Sequence, residues 1–391
     1  MRKYTDDEER RVRKRSRVRE WVRSGLLSAP QVEGLDGELR VDLRRTNIYL
    51  RGTLAFFTML IVVALVGFTV SAFGLHSDVA GATVAALAAI LCITAAEAVV
   101  GEFRLYRFGV EEMLAACSVM LLSISASEFS HAATGNSTSE ATVALLVAAA
   151  GGLGLYLRFG FVWAALGGMC CLAAIPFQFD QSPAAHRAWA AVLLGVVFAV
   201  TRVQRIRYEE EWPGDEYGVL QAAALGGVYL LLNVHVFWWD RYHWLLQQDV
   251  SSGGFYWLTW VLTWVLPAVG LVLGIREKDR PLLAVSVATA IVTLTTNKPY
   301  LGWERHTWDP ILLGVVLMAV ALRIRRWLSR GPDAARSGFT AARIVLRQDP
   351  VLSVLSAAPL PIQAHTHAAA PPAATGFDGG RSGGAGGGGS F

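Results

Sequence analysis

The stretch TLAFFTMLIVVALVGFTVSAFGL, residues 53–75, contains no charged side chain. A bilayer's hydrocarbon core is about 30 Å thick, and an α-helix crosses it with about 20 apolar residues. Runs of that kind recur as far as residue 324, and 53% of the 391 residues are hydrophobic against 17% charged. A soluble core does not require such runs, and a barrel would show short strands of alternating polarity instead. The fold class is therefore all-α, a polytopic transmembrane helix bundle. About ten spans are expected, over 53–75, 79–100, 110–128, 140–157, 160–178, 187–203, 217–238, 254–274, 281–297 and 310–324.

Arginine and lysine placement orients these spans, because cytoplasmic loops carry the basic excess. With the N-terminus inside, the inner turns hold Arg104 and Arg107, Arg158, Arg202 with Arg205 and Arg207, and Arg276 with Lys278 and Arg280. The outer turns hold only Arg187, Arg241, Lys298 and Arg305, and Arg323, Arg325 and Arg326 follow the last span on the inside. Both termini are thus expected in the cytosol. The split at YLRFGFVW, residues 156–163, decides the parity: without a turn at Arg158 and Gly160, the later basic loops would lie outside.

The segments outside the spans divide into three. Residues 1–46 read as a cytosolic helical hairpin ahead of the bundle at 47–328. One helix is expected over 5–23 and a second to about Arg45, with Ser28 as N-cap, Pro30 in its first turn and Gln31 at the capping-box position. Residues 329–357 offer short amphipathic helices, and 358–391 turn to Ala, Pro and Gly, the composition of a flexible tail. The hairpin or the tail would meet a cytosolic protein partner, and the bundle would meet membrane lipids. The net charge of +4 is concentrated in the N-terminal arm and the membrane flanks. That distribution fits orientation and anionic-lipid contact and not nucleic-acid binding. Cys92, Cys117, Cys170 and Cys171 lie in apolar segments and read as packing residues. His365 and His367 fall in the tail, and neither a metal site nor a cofactor is expected. Small residues in helical register (Gly81, Ala85 and Ala89, then Gly270 and Gly274) read as close packing within the bundle, and they fix no oligomeric state.

Ionisable groups inside a membrane are costly and so mark candidate sites. Here they gather near the span ends. An inner-side charge cluster comprises Glu97, Glu102, Arg104, Arg107, Glu111 and Glu112, either a salt-bridge knot fixing the second and third spans or an intracellular gate. On the outer side, histidines, acids and tryptophans converge in three segments, one of them NKPYLGWERHTWDP at 297–310. An interfacial aromatic belt explains tryptophans alone. An aromatic-lined pocket with a few polar groups also explains the acids and histidines. Its candidate ligand-binding residues are His235, Asp240, Trp257, Trp260, Glu304 and His306, with Trp264 extending the Trp257–Trp260 face inward. Asp309 and Pro310 read as a helix start, as do Ser182 and Pro183.

No phosphate-binding loop, dinucleotide fingerprint, nucleophile elbow or zinc-protease motif occurs, and no catalytic residue is assigned. The stretches WVRSGLLSAPQVEGL (21–35), FRLYRFGVEEML (103–114) and NKPYLGWERHTWDP, with the glycine-rich tail ending at Phe391, resemble an uncharacterised bacterial membrane-protein family, a domain of unknown function. That resemblance implies a bacterial inner membrane and brings no catalytic residues with it. Three functions are then open: a carrier or binding protein for a small solute or lipid headgroup at the outer cluster; a scaffold or sensor acting through its cytosolic ends; or a lipid-linked transferase using Asp240 and Glu304.

Overall fold

The computed structural model describes residues 3–4, 6–23, 34–35, 37, 39, 41, 43–44, 46–75, 77–179, 182–207, 213–236, 253–277, 279–301, 306, 308–330, 335–336 and 339–340. Helix α1 is Asp6–Arg23. The bundle follows as α2 Ile48–Ala72, α3 Asp78–Glu102, α4 Val110–Thr134, α5 Ser137–Phe159, α6 Val162–Ala174, α7 Pro183–Arg207, α8 Pro213–Leu232, α9 Gly254–Arg276, α10 Arg280–Tyr300 and α11 Asp309–Ser329. A 3-10 turn, Ile175–Gln178, extends α6, and the two-residue strands Ala335–Arg336 and Phe339–Thr340 pair antiparallel. Among the described residues, six helices (α2, α3, α4, α5, α7 and α9) are long and apolar enough to cross a membrane, while Val162–Gln178 and Glu216–Leu232 are apolar but shorter. By helix length and hydropathy, this is a multi-pass membrane protein.

The sequence sets most helix ends. Asn47, Ser77, Asn136 and Ser182 each accept a backbone N–H from the first turn of α2, α3, α5 and α7. Such caps satisfy donors that the helix itself leaves orphaned. Gly160, at φ +73°, ends α5 in the left-handed conformation, and α6 starts at Val162, so the chain does turn within YLRFGFVW.

Several boundaries differ from expectation. The span expected to reach residue 238 ends at Leu232, because the Asn233 side chain accepts the His235 N–H at 3.1 Å and folds the chain into a turn. At the other end of NKPYLGWERHTWDP, α10 continues to Tyr300, which puts Asn297 and Lys298 on a helix and not in a loop. Asp309 is the first residue of α11, and the Trp308 carbonyl accepts the Ile311 and Leu312 N–H groups. The Asp309 carboxylate is turned instead to the His306 N–H and Lys298. The helix expected up to Arg45 has also given way by Arg44, which runs extended and pairs with Leu105 as an isolated parallel bridge.

Two groups of helices form. In the first, α3 packs on α4, α4 on α5, α5 on α6, and α2 leans on α4. In the second, α7 packs on α8, while α9 and α10 pack on each other and on α8. Helix α6 touches both α7 and α8. Small residues make these approaches possible. Ala82, Ala85, Ala89, Cys92 and Ala96 form the buried stripe of α3. A Cβ at Gly152 would stand 2.5 Å from the Ala164 carbonyl oxygen, and one at Gly274 would stand 3.0 Å from the Leu283 nitrogen. At Gly270 a Cβ would collide with Ser286. Cys117 is buried like Cys92, whereas Cys170 is exposed, so the packing expectation holds for those two and not for Cys170.

Candidate functional site

One end of the bundle carries the aromatic and polar groups singled out in the sequence. Asn233, wholly buried just past α8, donates from Nδ2 to the Tyr229 hydroxyl at 2.9 Å and to Thr296 Oγ1 at 3.0 Å. The Thr293 hydroxyl lies 2.8 Å from that of Tyr229, and its one proton goes to a carbonyl oxygen, that of Thr263 at 2.7 Å or that of Thr289 at 2.9 Å. With its proton committed to a carbonyl, Thr293 must accept from Tyr229, and Tyr229 accepts from Asn233. The hydrogen bonds therefore run in one sense, from the end of α8 into the interior between α9 and α10. Thr259, Thr263, Ser286, Thr289 and Thr296 are buried along the same interface. Each returns its own hydroxyl to a carbonyl one helical turn earlier.

At the end of this seam, the half-buried His235 places Nε2 3.1 Å from the Tyr256 hydroxyl, with the two rings edge-on. Tyr256 continues edge-on to Trp257, and Trp257 to Trp260, at centroid distances of 5.6 and 6.0 Å. Trp260 turns inward and donates Nε1–H to Asn297 Oδ1 at 3.0 Å. Trp257 and Trp264 are exposed on the bundle exterior, so the tryptophan face expected as a single stripe splits between an outward pair and one inward anchor. His235, Trp257 and Trp260 are thus brought together from two elements, with Asn297 added from a third.

His306 lies just ahead of α11. It is exposed and packs on Trp308 at 5.7 Å, and its N–H bonds to Asp309, which also pairs with Lys298 at 2.6 Å. Asp240 and Glu304 lie outside the described residues, so two of the six expected site residues have no position here. Among the described residues, no three His, Cys, Asp or Glu side chains gather as metal ligands.

The opposite end holds the inner-side charge cluster, and there four of its six members are held in ion pairs. Glu97 lies between Lys3 at 3.1 Å and Arg158 at 2.6 Å. Arg104 pairs with Glu8, Arg51 forms a two-bond fork with Glu112, and Arg107 stands 4.0 Å from Glu216. Glu111, wholly buried, accepts the Phe108 N–H at 2.6 Å at the start of α4. Glu102 is exposed. The 103–109 turn is strained: Arg104 and Arg107 have φ of +51° and +54°. A left-handed backbone costs a non-glycine residue roughly 1–2 kcal/mol. Contacts from the N-terminal segment hold that geometry. Tyr4 donates to the Leu105 carbonyl at 2.8 Å, and Arg44 exchanges backbone hydrogen bonds with Arg104 and Tyr106 at 3.1 Å. Burial, with the Glu111 carboxylate nearby, pushes the Tyr4 phenol well above its ordinary range. A second charge group, not singled out in the sequence, joins Arg202 and Arg205 of α7 to Glu277 and Asp279 between α9 and α10, and Arg205 also meets Gln221.

The hydroxyl seam was the main omission. Its signal is present in SVATAIVTLTTN, where Ser286, Thr289, Thr293 and Thr296 recur at intervals of three and four. Compared with known proteins, the chain matches no protein-family model, no curated protein and no solved structure.

Proposed function

We propose that this protein is a ten-span carrier or binding protein of a bacterial inner membrane, with both termini cytosolic. Its ligand, a small polar solute or lipid headgroup, enters at His235, Tyr256 and Trp260. The seam behind them carries this reading: the directed chain from Asn233 through Tyr229 and Thr293 to the Thr263 or Thr289 carbonyl. Polar side chains in a membrane interior glue helices together at modest gain. This run goes further, because it continues to the surface and ends in an imidazole, a phenol and an indole. That is the composition of a small-ligand site, apolar rings with a few oriented polar groups. The basic residues crowd the other end, which supports placing His235 and Trp260 on the outside. The inner membrane follows from the sequence resemblance.

The test is a ligand screen on the full-length protein in detergent, following Tm with choline, ethanolamine, amino acids, sugars and polyamines. At least one compound should raise the Tm of the wild type and leave those of His235→Ala and Trp260→Leu unmoved. Equal responses in wild type and variants, or none in any, would defeat the reading.

A second reading has its own support: a scaffold or sensor acting through the cytosolic ends. Lys3, Tyr4, Glu8 and Arg44 all grip the turns at the basic end of the bundle. It requires that removing residues 1–46 abolish function while His235→Ala does not.

A further inference from the structure

Helix α9 carries a buried proline near its middle, Pro267. Proline has no N–H, and in a helix the N–H of residue 267 would bond the Thr263 carbonyl. That carbonyl therefore lacks its helical donor. A hydroxyl of the neighbouring helix stands in its place: Thr293 Oγ1 of α10, at 2.7 Å. Within a membrane a freed carbonyl is met in this way, by side chains of adjacent helices, because lipid offers no donor. The two carbonyls within reach of Thr293 are thus unequal. Thr289, at 2.9 Å, lies on an uninterrupted turn of α10 that supplies its own donor, and Thr263 does not.

The two halves of α9 are held differently. Beyond Pro267 the helix is anchored: Leu273 packs on the Leu225 and Leu282 cluster, and Gly270 and Gly274 leave no room for a Cβ against Ser286 and Leu283 of α10. Before it lies the half with the site residues. There Trp257, Val261 and Trp264 are exposed, while Tyr256 and Trp260 reach His235 and Asn297 through side-chain hydrogen bonds. We propose that Thr263–Pro267 is a hinge, that the half of α9 carrying Tyr256 and Trp260 moves on it relative to His235 and Asn297, and that the Thr293 hydroxyl is its latch. This rests on the reading of those residues as a ligand site and supplies the gate of that site. With the Thr293 proton on the Thr263 carbonyl, the moving half is held to α10. Rotation of the hydroxyl to the Thr289 carbonyl releases it and leaves no donor buried without a partner, so opening sacrifices one hydrogen bond to a carbonyl. A proline gives the hinge its place, since kinks in helices fall where the backbone ladder is broken.

The experiment is amide hydrogen exchange, read by mass spectrometry on the full-length protein in detergent, with residues 256–266 and 268–276 followed separately. Exchange reports local opening of each half. Pro267→Ala gives the helix its missing N–H and should slow exchange over 256–266 about fivefold, the factor one ordinary hydrogen bond carries, while 268–276 stay as they are. Thr293→Val should speed 256–266 by a similar factor in the wild type and leave them unchanged in the Pro267→Ala protein. Tyr229 loses the same acceptor in both backgrounds, so the difference between them reports the Thr263 carbonyl alone. Thr293→Ser keeps the hydroxyl and should exchange like the wild type. Equal acceleration by Thr293→Val in both backgrounds, acceleration spread evenly over the two halves of α9, or Pro267→Ala exchange identical to the wild type would each overturn the hinge. No ligand is present in this test, so it is decided apart from the ligand screen, whose failure would remove the site and leave these rates unchanged.

Discussion

Replacing Thr293 with Val keeps the side chain's shape and removes its hydroxyl. Two bonds go: the one Thr293 donates to the Thr263 or Thr289 carbonyl and the one it accepts from Tyr229. The carbonyl is the smaller loss, since a carbonyl short of a donor is tolerated better than a buried donor without an acceptor. Tyr229 is the larger, because its side chain is fully buried and must turn its proton from Thr293 to the neighbouring Thr296 hydroxyl. A buried donor left without a partner costs about 1–3 kcal/mol, and with Thr296 as a second acceptor Thr293→Val should destabilise at the lower end, by about 1 kcal/mol. Tyr229→Phe removes the stranded donor itself, and the double variant should be milder than the two singles added together. The coupling should lie near 0.6 kcal/mol and not above about 1.7, the range of hydrogen bonds between membrane helices. Reversible unfolding in mixed micelles of dodecyl maltoside and SDS, followed by tryptophan fluorescence, measures all four corners of the cycle. Strict additivity of the two singles would show that the Tyr229–Thr293 bond contributes nothing, and the directed seam would fail with it.

Other consequences are open to test. Gly109→Ala should abolish accumulation of folded protein in membranes, because Gly109 has φ +110° and a Cβ there would collide with the Arg51 carbonyl oxygen. Arg51→Ala should lower Tm more than Arg51→Ala with Glu112→Gln, since the single change leaves a carboxylate whose side chain is only 10% exposed without its fork partner. Below the ordinary phenol range near 10, the raised Tyr4 phenol stays protonated whether the chain is folded or not. Above it, the unfolded chain alone loses that proton, so stability falls with rising pH, and Tyr4→Phe should flatten the alkaline limb of a Tm–pH curve. In a cysteine-free background, Ser137→Cys should react with an impermeant thiol reagent in intact cells and Ser329→Cys should not; reaction at 329 would invert the proposed topology.

The long apolar runs made the helices legible because a bilayer demands length and apolarity together, and both are visible residue by residue. The turn at Arg158 and Gly160 was legible for a related reason, since glycine accepts the left-handed backbone at the end of α5. The end of α8 was not: Val234 and Val236 extend the apolar run, and only the fold turns the Asn233 side chain back on its own backbone. The aromatic groups at the site could be read as a group, but their division could not. Trp257, Trp260 and Trp264 share one helical stripe in sequence, and it is the neighbouring α10, through Asn297, that selects Trp260 as the inward one. The threonine seam was overlooked because hydroxyls count as nearly apolar in a hydropathy run. Their importance appears only where three helices meet and lipid offers no partner.

The most direct test of the carrier reading is an experimental density map of the protein extracted from its native membrane with its lipids. The account expects ordered non-protein density at the end of the α8–α9–α10 seam, within hydrogen-bond distance of His235 or Tyr256 and against the Trp260 ring. The contradicting result is a map with no ordered density beside His235, Tyr256 and Trp260 other than lipid chains lying flat across them.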